Sequence, residues 1–84
     1  MARVQVINQV TRGNPRARRW ALYLQWCRYL YDDGNMEQGY RFIWKRPDGS
    51  LQPARGQARI ASLREAEELI QMARDQGWGD NIGD

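Results

Sequence analysis

Histidine is absent from this 84-residue chain, and cysteine, lysine and phenylalanine occur once each. Each scarcity removes a class of chemistry. Without histidine there is no ordinary general base near neutral pH. Cys27 alone makes neither a Cys-His thiolate pair, nor an intramolecular disulfide, nor a cysteine-based zinc site, and it reads as a small core residue in a reducing compartment. Gly39 and Gly49 do not sit between a strand and a helix N-terminus, so no phosphate loop is present. Asp32-Asp33-Gly34 reads as a turn rather than a cation site. No apolar run has the length of a signal peptide or approaches the roughly 20 residues needed to span a bilayer. The expectation is a cytoplasmic, non-enzymatic protein with no cofactor, no metal site and no membrane contact.

Aromatic residues and arginine fill the space these absences leave. Four Trp, four Tyr and one Phe supply apolar area at about 150–250 Å² each, which matters in a chain of a size that buries only about 60–65% of its unfolded surface. The net charge of +3 conceals a segregated distribution. Residues 1–31 hold six arginines and no acid, residues 32–39 hold Asp32, Asp33 and Glu37, residues 40–61 hold five cations against Asp48, and residues 62–84 hold two arginines against six acids. Basic strands with an acidic helix suit a sheet presented to a polyanion. They equally suit arginines that merely decorate a solvated surface.

Partial alternation over Arg3–Thr11, with Val4, Val6 and Val10 on one parity, predicts a first strand, and Arg12-Gly13-Asn14-Pro15 ends it. Residues 16–32 fit two periods. A helix capped by Asn14 and Pro15 would align Trp20, Leu24, Cys27 and Tyr31, whereas a strand places Trp20, Leu22, Leu24 and Trp26 on one face. Asp33-Gly34, a strong hairpin signal, selects a strand at about 18–32. Gly39-Tyr40-Arg41-Phe42-Ile43-Trp44-Lys45-Arg46 predicts a third strand at 38–46, turned by Pro47-Asp48-Gly49. A fourth is expected at 50–60, at an edge or bulged because Pro53 and Gly56 interrupt it. Ser62-Leu63-Arg64-Glu65 reads as a capping box opening a helix at 62–76. Its apolar stripe is Leu63, Ala66, Leu69, Ile70 and Ala73, Gly77 stops it, and Trp78 is placed to fold back on the sheet.

These elements make a single small α+β domain over residues 1–78, with a flexible tail at 79–84. The fold class is an antiparallel four-stranded β-meander with one C-terminal helix packed on one face; a helical second segment would make it β-α-β-β-α. On the third strand Tyr40, Phe42 and Trp44 are expected under the helix. That leaves Arg41 and Lys45, joined by Arg46, Arg55 and Arg59, as a basic face able to meet nucleic acid. The competing expectation is a protein-interaction or homodimer module using surplus aromatic surface at Trp20, Trp26, Tyr29 and Tyr31, or an open sheet edge.

The run Gly39 to Leu51, with Arg55-Gly-Gln-Ala-Arg-Ile60 and the Ser62 helix, resembles short bacterial proteins of unknown function, which implies no activity. More loosely, over residues 20–76, sheet strands followed by a helix are similar to the arm-type DNA-binding domain of tyrosine integrases. That resemblance implies a sheet laid in the major groove.

Overall fold

Ala21–Leu30 is dense in aromatic and aliphatic side chains that suit a pleated surface, and it forms the middle strand of the sheet. The computed structural model describes residues 3–52 and 59–78. In it β1 (Arg3–Thr11), β2 (Ala21–Leu30) and β3 (Met36–Lys45) run antiparallel in the order β1-β2-β3, and α1 (Leu63–Asp75) follows. The second segment is therefore a strand, and the β-α-β-β-α alternative falls.

The fourth strand expected at 50–60 is not seen, so the four-stranded meander is corrected to a three-stranded sheet with one C-terminal helix. Among the described residues, pairing past the turn runs to Gln52. Arg46 N donates to Ser50 O at 2.8 Å, Gln52 N donates to Trp44 O at 2.8 Å, and Leu51 forms an isolated bridge with Lys45. Next in sequence is Pro53, which has no amide hydrogen to extend a ladder. Residues 53–58, like the expected tail at 79–84, lie outside the described residues, and Arg59 and Ile60 belong to no strand.

A bulge changes how β1 is read. Val4 and Val6 pair with Tyr29 and Cys27, the register shifts between Val6 and Asn8, and Val10 then pairs with Leu24. The extra residue, Ile7, flips the facing of everything after it. Val6 and Val10 share a sequence parity yet lie on opposite faces, 42% and 4% exposed.

Helix α1 is fixed at both ends by local chemistry. Ser62 Oγ accepts from the amides of Arg64 and Glu65 at 3.1 and 3.3 Å. The reciprocal half of the capping box is not made among the described residues, because the Glu65 carboxylate turns to Arg12 at 3.3 Å instead. At the far end Gly77 takes φ 77°, its amide bonds Arg74 O at 2.9 Å, and Trp78 N bonds Ala73 O at 3.1 Å. This pair of bonds is the Schellman arrangement.

The core lies between α1 and one face of the sheet, where Val10, Leu22 and Leu24 meet Leu69, Ala73 and Trp78, with Trp26, Phe42, Trp44, Ile60 and Met72 around them. Trp78 folds back as expected and sits 6.1 Å from the Trp26 ring and 6.3 Å from Tyr40, stacked on the latter. Two residues of the expected helical stripe fall outside the core: Leu63 is 80% exposed, and Ile70 is also exposed. No helix among the described residues is long and apolar enough to cross a membrane.

Candidate nucleic-acid interface

Alternation along β2 sends Leu22, Leu24 and Trp26 towards the helix and Tyr23, Gln25, Cys27 and Tyr29 to the other face. Among the described residues no helix or strand lies across that second face. β2 is central, so its outward side chains are flanked on both sides. Gln9 and Thr11 of β1 stand beside Gln25 and Tyr23, and Arg41 and Ile43 of β3 stand beside the same two residues.

Three of these side chains form a polar row across all three strands. Arg41 Nε donates to Gln25 Oε1 at 2.8 Å, and Gln25 Nε2 donates to Gln9 Oε1 at 2.9 Å. Gln25 is 2% exposed, so both ends of its amide are satisfied inside the protein, as burial of a polar group requires. The row fixes the Arg41 guanidinium while using only one of its five donors in that bond. Lys45 is pinned differently: its Nζ lies 4.6 Å from the Tyr23 ring centroid, a cation–π contact that also covers the ring. Tyr23 and Ile43 are buried on this face although no helix covers them.

Cys27 is fully buried on the same face. Burial pushes its thiol above the usual range, opposed by the nearby charge of Arg41. A thiol of that kind is a poor nucleophile.

Of the residues the sequence nominated, Arg41 and Lys45 are brought together on the open face of β3. Arg46 stands at the strand end, its Nη1 bonded at 3.1 Å to both Ser50 Oγ and Leu51 O. Arg59 is exposed, but its carbonyl accepts the Trp44 indole N–H at 2.6 Å, which places its backbone on the helix side of β3. Arg55 lies outside the described residues.

Sequence reasoning passed over the loop between β1 and β2. Because β2 pairs Ala21 with Lys45, the loop entering β2 and the turn leaving β3 meet at one end of the sheet. They enclose an open cleft of about 210 Å³ lined by Arg16, Arg18, Arg19, Lys45, Arg46 and Asp48, among others. The density of arginine after Pro15 was the available signal. Arg12, by contrast, is committed to the helix, with Nη1 2.8 Å from Glu68 and Nη2 3.3 Å from Glu65.

The open face is mixed, with the polar row at its centre and exposed Val4 and Val6 on β1 beside Tyr29 and Cys27. Its far end, at the Tyr31–Asn35 turn, carries Asp32, Asp33 and Glu37, whereas the cleft end is cationic. Comparison with family models, curated proteins and solved structures finds no match to this chain.

Proposed function

We propose that this chain is a small non-enzymatic binding module that lays the open face of its sheet against nucleic acid. The observation that carries this reading is the pairing of Arg41 and Lys45 on a face left uncovered by α1, each held in place by a neighbouring side chain. Cations fixed before binding lose less side-chain entropy when they meet phosphate, and each phosphate neutralised releases counterions. Arginine also offers a planar fork suited to phosphate or to a base edge. What supports the reading is this face rather than the topological likeness to integrase arm domains, since one fold order hosts unrelated functions.

The test is fluorescence anisotropy of labelled mixed-sequence single- and double-stranded DNA and RNA at low and moderate salt. Saturable binding that weakens steeply with salt is the expected result, with log K falling by about 0.9 per phosphate contact for each tenfold rise in salt on B-DNA. Absence of binding to all four at low salt discards the reading.

A second reading, self-association or protein binding, draws on one observation. Beside α1 an apolar groove of about 230 Å³ is lined by Tyr40, Phe42, Ile70 and Trp78, with Tyr40 and Ile70 exposed. Association through this groove would respond weakly to salt, which separates it from the leading reading.

A further inference from the structure

The cleft at the basic end of the sheet is built from two turns that are each locked by their own bonds. In the first, Arg16 N donates to Asn14 Oδ1 at 2.9 Å, Ala17 N donates to Asn14 O at 3.1 Å, and Arg19 N donates to Ala17 O at 3.0 Å. Gly13 takes φ 76° at the entry to this loop, and Arg19 Nη2 folds back over it to Arg12 O at 2.7 Å. A Cβ on Gly13 would lie 2.6 Å from that nitrogen, so glycine here is what lets Arg19 close the loop. In the second turn, Gly49 N donates to Arg46 O at 2.8 Å, with Gly49 at φ 91°.

The charges in this cleft do not cancel. Five cations face it, and among the described residues neither Arg16 nor Arg18 has a carboxylate partner. Asp48 is the one acid in the lining, and its Oδ1 is occupied by the Ser50 amide at 2.9 Å and the Ser50 hydroxyl at 2.6 Å. These bonds hold the carboxyl below its ordinary range and keep the anion turned to its own loop. Arg19, Lys45 and Arg46 are each anchored by a bond or ring contact, while Arg16 and Arg18 are exposed and able to close on a ligand.

Anchored guanidinium groups beside exposed ones, with five cations against a single acid that is bonded to Ser50, match an oxyanion carrying more than one acceptor oxygen. We propose that the cleft is a phosphate-binding subsite, and that on the nucleic-acid reading above it takes a backbone phosphate where the polynucleotide leaves the open face. Arg41 and Lys45 are four residues apart on β3, about 13 Å at 3.3 Å per residue. That span equals about four base steps along a B-DNA axis at 3.4 Å per step.

Two arms test this, with the Arg16→Ala/Arg18→Ala double variant, whose side chains make no internal bond among the described residues, as the probe. In the first, inorganic phosphate is titrated against the amide NMR spectrum. Saturable shifts centred on residues 14–19 and 46–49, lost in the variant, support the subsite. No shifts, or the same shifts in the variant, overturn it. In the second, labelled duplex DNA is titrated across a salt series. A slope of log K against log salt reduced by about 0.9 to 1.8 in the variant supports the subsite, while an unchanged slope removes it and leaves the open-face reading standing. If phosphate binds in the cleft and no polynucleotide binds the protein, the subsite stands and the nucleic-acid reading is the one that fails.

Discussion

The two faces of the sheet are built from alternate residues of the same strands and divide the work differently. On the helix side, Leu22 and Leu24 meet Leu69 and Trp78 in a buried apolar cluster. On the open side, Tyr23, Gln25, Cys27 and Ile43 are buried without a covering helix because long neighbours, Arg41 and Lys45 among them, lie over or against them. Burial is thus no guide to which face is structural. Apolar burial against α1 supplies stability, whereas burial under arginine and lysine stems positions charge, as long cationic side chains do when they shield apolar surface and keep their heads in water.

The most severe way to break this division is at Leu69, which is fully buried. Leu69→Ala is expected to cost about 2–5 kcal/mol, a large share of the stability of a domain this size. Urea unfolding measures the loss, and the salt slope of DNA binding in the folded fraction should not move. On the open face the most damaging change is Gln25→Ala. It removes the acceptor of Arg41 Nε and the donor to Gln9, and about 1–3 kcal/mol is expected for groups left unpaired. Unlike Leu69→Ala, it should also weaken DNA binding, because Arg41 loses its anchor.

Lys45→Ala sharpens the contrast from the other side. Its stability cost should fall between the roughly 0.5–1 kcal/mol of an exposed cation–π contact and the roughly 2 kcal/mol of a desolvated one, because the Tyr23 ring is buried and Lys45 half-buried, while the salt slope falls by about 0.9. Thermal melts and anisotropy on one preparation decide both numbers. A large loss of stability with no change in slope would assign Lys45 to the fold and take it out of the interface.

How much of this was legible in the chain follows from how local each signal is. Asp33-Gly34 and Asp48-Gly49 were both read as turns, and the structure makes them alike. The glycines take φ 89° and 91°, and Asp33 and Asp48 each accept the amide two residues on, at 2.9 Å. A turn specifies a reversal and not the strand after it. Met36–Lys45 supplies ten residues of pairing, while the segment after Gly49 meets Pro53 almost at once. The alternation of the first strand is visibly interrupted at Ile7 and Asn8, where the register shifts, but that the interruption is a bulge was illegible because it depends on which residues of β2 stand opposite. The cleft was illegible for the same reason. Arg18 and Arg46 lie far apart in sequence and share a cleft only because antiparallel pairing sets Ala21 against Lys45.

The smallest expected effect concerns the tie between the two regions. Arg12 leaves the end of β1 and reaches Glu68 on α1, so it joins the cleft loop to the helix. The hydrogen bond from Arg12 holds the Glu68 carboxyl below its ordinary value. A carboxyl whose pKa is lower folded than unfolded adds stability above its unfolded value, about 4.3, and that stability is lost as pH falls through the folded value. Comparing wild type with Glu68→Gln isolates this group, because the remaining carboxyls change in both. The variant should melt slightly lower at pH 6, and the gap should close below about pH 4. The pair is exposed and screened by salt, so the gap should also shrink at high ionic strength. A gap that persisted at acid pH and high salt would mean that Glu68 acts through packing of its side chain, and that the cleft loop is held to the helix by something other than charge.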